Sequence, residues 1–265
     1  MTHLNQPPNR ARGFTLLELS IVVLVVTLLI GGLLVPLSTQ VEQRNVSETQ
    51  QRLAQIQDAL IGFAIARGRF PCPASVSSPP LPADQGVEDP PVPTGVCNHP
   101  IDGYVPGVTL GLTNLDSQGF VVDAWGLQQN RIRYSITNAT VNGVPNAFTA
   151  LNGMRSAGIQ ALGTSSNYLY VCASGTGTTP TNCGTAQALS SGDAIFVVYS
   201  LGKNAATTGG TSADEAVNLK TTLNTTPVFV SKVASGQTTS EFDDLLLWGS
   251  RYTLIDKLTA AGQLP

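Results

Sequence analysis

Residues 13–26 read GFTLLELSIVVLVV, an apolar run that carries one acid, Glu18, in its first turn. The run continues to Val35, so 22 residues from Phe14 are interrupted by no charge but Glu18 and by only three hydroxyls, Thr15, Ser20 and Thr27. A helix of about 20 apolar residues crosses a bilayer. Arg10 and Arg12 precede the run, and the first charges beyond it are Glu42 and Arg44. The basic leader therefore stays in the cytoplasm and the C-terminal bulk is translocated. Two simpler readings compete. A secretory signal peptide has an apolar core of about 7–15 residues and a small-residue cleavage site, whereas this core is longer and GGLLVPLSTQ offers no such site. A plain membrane anchor leaves Glu18 unexplained, and an ionisable group inside a span costs a few kcal/mol.

The leader MTHLNQPPNRARG followed by FTLLELSIVVLVV resembles the start of a type IV prepilin or type II secretion pseudopilin. In that family a prepilin peptidase cuts after the glycine and methylates the new terminal amine. The resemblance implies a cut between Gly13 and Phe14, N-methylation of Phe14, and an assembly role for Glu18. The cleaved amine lies at the positive end of a helix dipole. Glu18 of one subunit can neutralise the amine of its neighbour, because opposite charges attract strongly at low dielectric.

Beyond Pro36, which can kink a helix, good helix formers continue: VEQRNVSETQQRLAQIQDALIGFAIARG. Val46, Thr49, Leu53, Ile56, Leu60 and Phe63 step by three and four, one face of an amphipathic helix packed on the chain's own core. Phe14–Ala66 then forms one helix of about 80 Å, stopped by Gly68 and Pro71.

Charged residues make up 12% of the chain, and Gly (26) and Pro (17) are abundant; ordinary soluble proteins carry about 25% charge. This is the profile of an extracytoplasmic, loop-rich β domain. The net charge of −3 forms no basic patch, so no nucleic-acid partner is expected. Cys72, Cys97, Cys172 and Cys183 allow three pairings. The local pairs Cys72–Cys97 and Cys172–Cys183 are favoured because each brackets a Pro-, Gly- or Thr-rich loop, and each removes about 3 kcal/mol of loop entropy from the unfolded chain. A zinc site is disfavoured by the wide spacings, the lack of CxxC, and a single nearby histidine, His99. Residues 71–107, rich in proline, read as an ordered surface loop stapled by a disulfide rather than a disordered linker.

Strand-like runs follow at 131–137, 167–173, 193–202 and 226–232, with a short helix near 150–162. The end, EFDDLLLWGSRYTLIDKLTAAGQLP, predicts a strand through Leu247 and a last helix capped by Ser250. The fold class expected is α+β, a long N-terminal helix on a small antiparallel sheet, which is the lollipop shape of the pilin family that the first resemblance implies.

The segments DAWGLQQNRIRYSI and GDAIFVVYSLGKNAATTGGTSADEAVNL are similar to the sheet and glycine-rich loop of major type II pseudopilins. An acidic loop in those proteins binds calcium. The resemblance implies Asp214 and Glu215, with Asn218, as metal-binding positions, supplemented by loop carbonyls to reach the six to eight oxygens calcium takes. The alternative is a solvated Gly/Thr turn with ordinary surface acids. The present chain departs from those subunits in its large proline loop and four cysteines.

No GxSxG, P-loop, GxGxxG or HExxH motif occurs. His99 sits in the proline loop, and Asp243–Asp244 read as the opening of a strand with an exposed edge. A catalytic role is not expected.

The expected organisation is a leader at 1–13, a transmembrane helix at 14–35, its amphipathic extension at 36–66 and a globular β-rich domain at 67–265. The expected function is a filament subunit of a type IV pilus or type II secretion pseudopilus, as a minor pilin or pseudopilin. Its partners are the prepilin peptidase, other pilin or pseudopilin subunits and the inner-membrane assembly platform. It is expected in the bacterial inner membrane as a single-pass protein with a periplasmic domain, then in a surface or periplasmic filament. The alternative is a membrane-anchored binding module, for adhesion or cargo contact, that uses a pilin leader.

Overall fold

A computed structural model describes residues 15–75, 85–91, 95–165, 168–206, 212–221, 224–235 and 241–264; the side chains of 30–38 fall outside the description. The chain divides into two compact units, Met1–Arg44 and Asn45–Pro265. Helix α1, Leu16–Arg67, runs unbroken through Pro36. In the first unit the side chains from Leu16 to Leu29 are all exposed. No helix among the described residues is long and apolar enough to cross a membrane. The expected span 14–35 includes Phe14 and the side chains of 30–35, which lie outside the description.

In the second unit the sequence periodicity becomes packing. Thr49, Leu53, Ile56, Leu60 and Ala64 are each at most 1% exposed, a stripe stepping by three and four that a 3.6-residue turn places on one face. Phe63, expected in the stripe, is half-buried, and Ala64 takes the core position one residue on. The Phe63 ring instead lies 5.3 Å beneath the Arg69 guanidinium. The helix ends where expected, at Gly68, whose φ of +69° suits a residue without a side chain.

The remaining elements are β1 (Gly103–Tyr104), α2 (Gly107–Leu110), β2 (Arg133–Ile136), α3 (Gly153–Ala157), α4 (Ile159–Thr164), β3 (Leu169–Cys172), β4 (Ala188–Ser200), α5 (Ala213–Asn218), β5 (Val228–Val230), β6 (Leu245–Ser250) and α6 (Arg251–Ala260). The fold class is α+β. The sheet follows the order β1-β2-β4-β3-β5, with β6 also paired to β4. It is mixed, not antiparallel as expected. β3 and β5 run parallel, Tyr170 opposite Val228 and Cys172 opposite Val230, because the chain between them passes through β4 and α5 and returns in the same direction.

The centre of the sheet is β4. Its segment Ala194–Leu201 is buried on both faces, which explains why the sequence there, AIFVVYSL, is an apolar run rather than an alternation. Phe196 and Val198 join the core that holds the α1 stripe, with Tyr134 and Ile136 of β2 and Leu254 and Leu258 of α6. Val197, Tyr199 and Leu201 face a second cluster with Leu169, Val171 and Phe229. A register shift between Ala194 and Phe196 in the β4–β6 pairing puts Ile195 beside Phe196 in the first core, as a bulge does when it interrupts the two-residue alternation. Ser250 caps α6 as expected, its Oγ accepting from the Tyr252 N–H at 3.3 Å. The single expected helix near 150–162 is instead two, broken at Gly158 with φ +84°.

Both expected disulfides are present, Cys72–Cys97 and Cys172–Cys183. Next to the first lies a buried ion pair. Arg69 Nη1 and Nη2 donate to Glu88 Oε2 and Oε1 at 2.7 and 2.8 Å, and the Cys72 N–H donates to Glu88 Oε2 at 3.2 Å. The proline loop is thus tied to the end of α1 by a bond and by charge. Removing one partner of such a pair strands the other, so Glu88→Gln is expected to cost about 3–5 kcal/mol in urea unfolding of the full chain. A loss below about 1 kcal/mol would put the pair in the class of solvent-screened bridges.

Candidate functional site

The loop after β4 turns at Gly202 into a 3-10 turn, Lys203–Ala206, and α5 follows. Ser212 caps α5, its Oγ accepting from the Glu215 N–H at 3.2 Å. This geometry sends neighbouring acids in different directions. Asp214 turns to the 174–175 loop, accepting from Ser174 Oγ at 3.0 Å and the Gly175 N–H at 2.6 Å, and pairs with Lys232. Burial pushes the Asp214 carboxyl up, but the bonds from Lys232, Gly175 and Ser174 outweigh it and hold its pKa below the usual carboxylate range. Glu215 turns inward and is fully buried.

Asn218 is also buried, and its amide is fully used. Its Oδ1 accepts from the Val230 N–H at 2.8 Å, while its Nδ2 donates to the Val230 carbonyl at 2.9 Å and to Asp244 Oδ2 at 2.7 Å. Alongside, Lys220 Nζ donates to the Val228 carbonyl and to Thr226 Oγ1 at 2.6 and 3.0 Å. Burial pushes the Lys220 amine down to about 7.

The three positions implied by the resemblance therefore separate. Asp214 is engaged by Lys232, and Asn218 positions other groups. Glu215 alone joins a group of acids that could hold a metal ion, and its companions are Asp243 and Asp244. One carboxylate oxygen from each of these three residues lies within 4.8 Å of the others. The expectation that Asp243 and Asp244 open a strand at an exposed edge is corrected: Asp244 is 3% exposed and Asp243 half-buried. The two precede β6, and pairing of β6 with β4 carries them against Gly202. A Cβ on Gly202 would meet the Asp243 carbonyl oxygen at 2.4 Å, so this approach requires glycine.

Each carboxylate is half satisfied. Glu215 Oε1 accepts from Asn204 Nδ2 and the Asp243 N–H, both at 3.1 Å. Asp243 Oδ2 accepts from the Asn204 N–H at 3.0 Å, and Asp244 Oδ2 from Asn218. Glu215 Oε2, Asp243 Oδ1 and Asp244 Oδ1 are buried without a hydrogen-bond partner. Buried polar atoms are nearly always bonded, so three orphaned oxygens on one acidic group call for a cation, a proton or water. Carboxylate oxygens of these residues within 4.8 Å of one another are close enough to share one calcium, whose ligand oxygens lie about 2.3–2.6 Å from it. Without one, burial together with the charges of Glu215 and Glu241 pushes the Asp243 carboxyl up to about 7. Burial pushes Asp244 well up too, with Glu215 and Asp243 adding to it, while Asn218 and Arg133 oppose.

At the N-terminus, Gly13 and Phe14 lie outside the described residues. Glu18 is exposed in the first turn of α1. Its N–H donates to Thr15 Oγ1 at 3.2 Å, so Thr15-Leu-Leu-Glu18 has the spacing of a capping box, a second reason for a hydroxyl and an acid in this apolar run.

Residues 8–34 match the family model of the prokaryotic N-terminal methylation motif, the prepilin-type cleavage and methylation signal of type IV pilins and pseudopilins. The motif marks a prepilin-like substrate of type IV pilus or type II secretion machinery, with a membrane-anchored N-terminus in bacteria. No curated protein and no solved structure matches the chain.

The raised carboxyls set a pH dependence. A folded pKa above the unfolded value near 3.8 means that the folded state holds the extra proton, so this contribution is fully present at low pH and is lost as pH rises through about 7. In chelator, stability measured by urea unfolding is expected to fall from pH 5 to pH 7, and Asp243→Asn is expected to flatten that slope. The depressed Lys220 amine acts in the window above about 7 and does not mask it.

Proposed function

We propose that the chain is a structural subunit of a type IV pilus or type II secretion pseudopilus, of the minor pilin or pseudopilin kind, and not an enzyme. The observation that carries this reading is the methylation motif at 8–34, with Gly13, Phe14 and Glu18 at the positions the signal requires. In this reading prepilin peptidase removes residues 1–13, residues 14–35 anchor the chain in the inner membrane, and Glu18 meets the methylated amine of an adjacent Phe14. The assembly platform then adds the subunit to a filament, with the long helix and sheet of the pilin lollipop. The α+β architecture with a continuous N-terminal helix supports it. Mass spectrometry of the mature protein is expected to find an N-methylated peptide beginning at Phe14; an intact Met1, or a cut beyond Val35, would sink the reading.

We further propose that Glu215, Asp243 and Asp244 hold one calcium-class cation. The three orphaned buried oxygens support this, and hard oxygen donors with a triple negative charge suit calcium, with backbone carbonyls and water completing its shell. The ion's role is structural, replacing protons on acids that cannot all ionise together. A ligand bound only by the folded state stabilises it by about 2.7 kcal/mol at a hundred times its dissociation constant. Saturating calcium at pH 8 is therefore expected to raise the melting temperature of the full-length chain in detergent. An identical melt in calcium and in chelator would remove the cation.

A further inference from the structure

We propose that the cation is a clasp for β6, holding the Leu245 end of that strand on β4; this rests on the cation reading above. The β4–β6 ladder runs from Ser200 opposite Leu245 to Ala194 opposite Ser250. At the Ser250 end, α6 begins directly and buries Leu254 and Leu258 in the main core. At the other end Leu245 and Leu247 pack half-buried on the main core and Leu246 on the second cluster. The two residues that lead into the strand, Asp243 and Asp244, are held by polar bonds. The Asp243 N–H bonds to Glu215, Asp243 Oδ2 to the Asn204 N–H, and Asp244 Oδ2 to Asn218.

These bonds all join residues 243–244 to the segment 204–218, and the three carboxylates lie on the same seam. Two belong to the strand's approach and one to α5. An ion bridging them links the approach to β6 to α5, the helix that follows the turn leaving β4. With no ion and no added proton, like charges oppose each other across the seam, and the end of the strand opens from there. Binding slows exchange through any opening that separates the three ligands by the factor of one plus ligand concentration over dissociation constant. Openings elsewhere in the sheet are untouched.

The test is amide hydrogen exchange of the full-length chain in detergent micelles at pH 7.5, in calcium chloride and in chelator, with calorimetric calcium titration of the same preparation. At calcium about a hundred times its dissociation constant, exchange at Leu245–Leu247 is expected to slow about a hundredfold. The slowing should fade toward Ser250 and be absent at Gly103–Tyr104 of β1. Calcium that binds but protects the whole sheet equally, or leaves Leu245–Leu247 unchanged, overturns the clasp while sparing the cation. A titration with no binding overturns both.

Discussion

The structure of the second unit depends on burying β4 on both of its faces. A strand with apolar side chains above and below cannot stand at a surface, so one layer must cover each side. The α1 stripe, joined by α6, covers the first. The second is covered by the turn after β4 and the residues that leave α5, with Ala205 and Leu219 packed on the cluster around Val197 and Tyr199. The same strand also pairs with β2, β3 and β6. Its position therefore sets the register of those three strands, through which β1 and β5 join the sheet, and its C-terminal end delivers Gly202 against Asp243.

Two solutions to buried charge occur within this unit. Arg69 and Glu88 satisfy each other with two parallel bonds, a neutral arrangement complete within the chain. The Glu215, Asp243 and Asp244 group leaves one oxygen of each acid unpartnered by the described residues. The first ties Glu88 to the segment that follows α1. The second is the group for which a cation is proposed. Lys220 is a third case, an amine buried with neutral oxygens and the face of Phe229, 4.6 Å away.

Much of this was legible in the sequence. The α1 stripe, the strand cores, both disulfides and the Ser250 cap follow from local periodicity, spacing and side-chain chemistry. The parallel pairing of β3 with β5 was not, because strand direction depends on the path of the intervening chain and not on the residues of either strand. The acidic group was half legible. Glu215 lies in the contiguous segment that carries the second resemblance, but Asp243 and Asp244 lie in another segment and are united with it only by the β4–β6 pairing. Two adjacent acids directly before LLLW were the available signal, since a strand of leucines draws its flanking residues toward the interior. Asp214 turns away from Glu215 because successive helix positions point about 100° apart, and Lys232 engages it instead. At the N-terminus the Thr15 hydroxyl, within the apolar run, accepts the Glu18 N–H in the first turn of α1.

The bonds from Asn218 and Lys220 to β5 have a consequence for association. The outward backbone groups of Val228 and Val230 are those that would otherwise accept another strand, and exposed strand margins are the usual route to sheet-to-sheet aggregation. Here an amide and an amine occupy them in place of a neighbouring backbone. This margin of the sheet is closed to a further strand by the chain's own side chains.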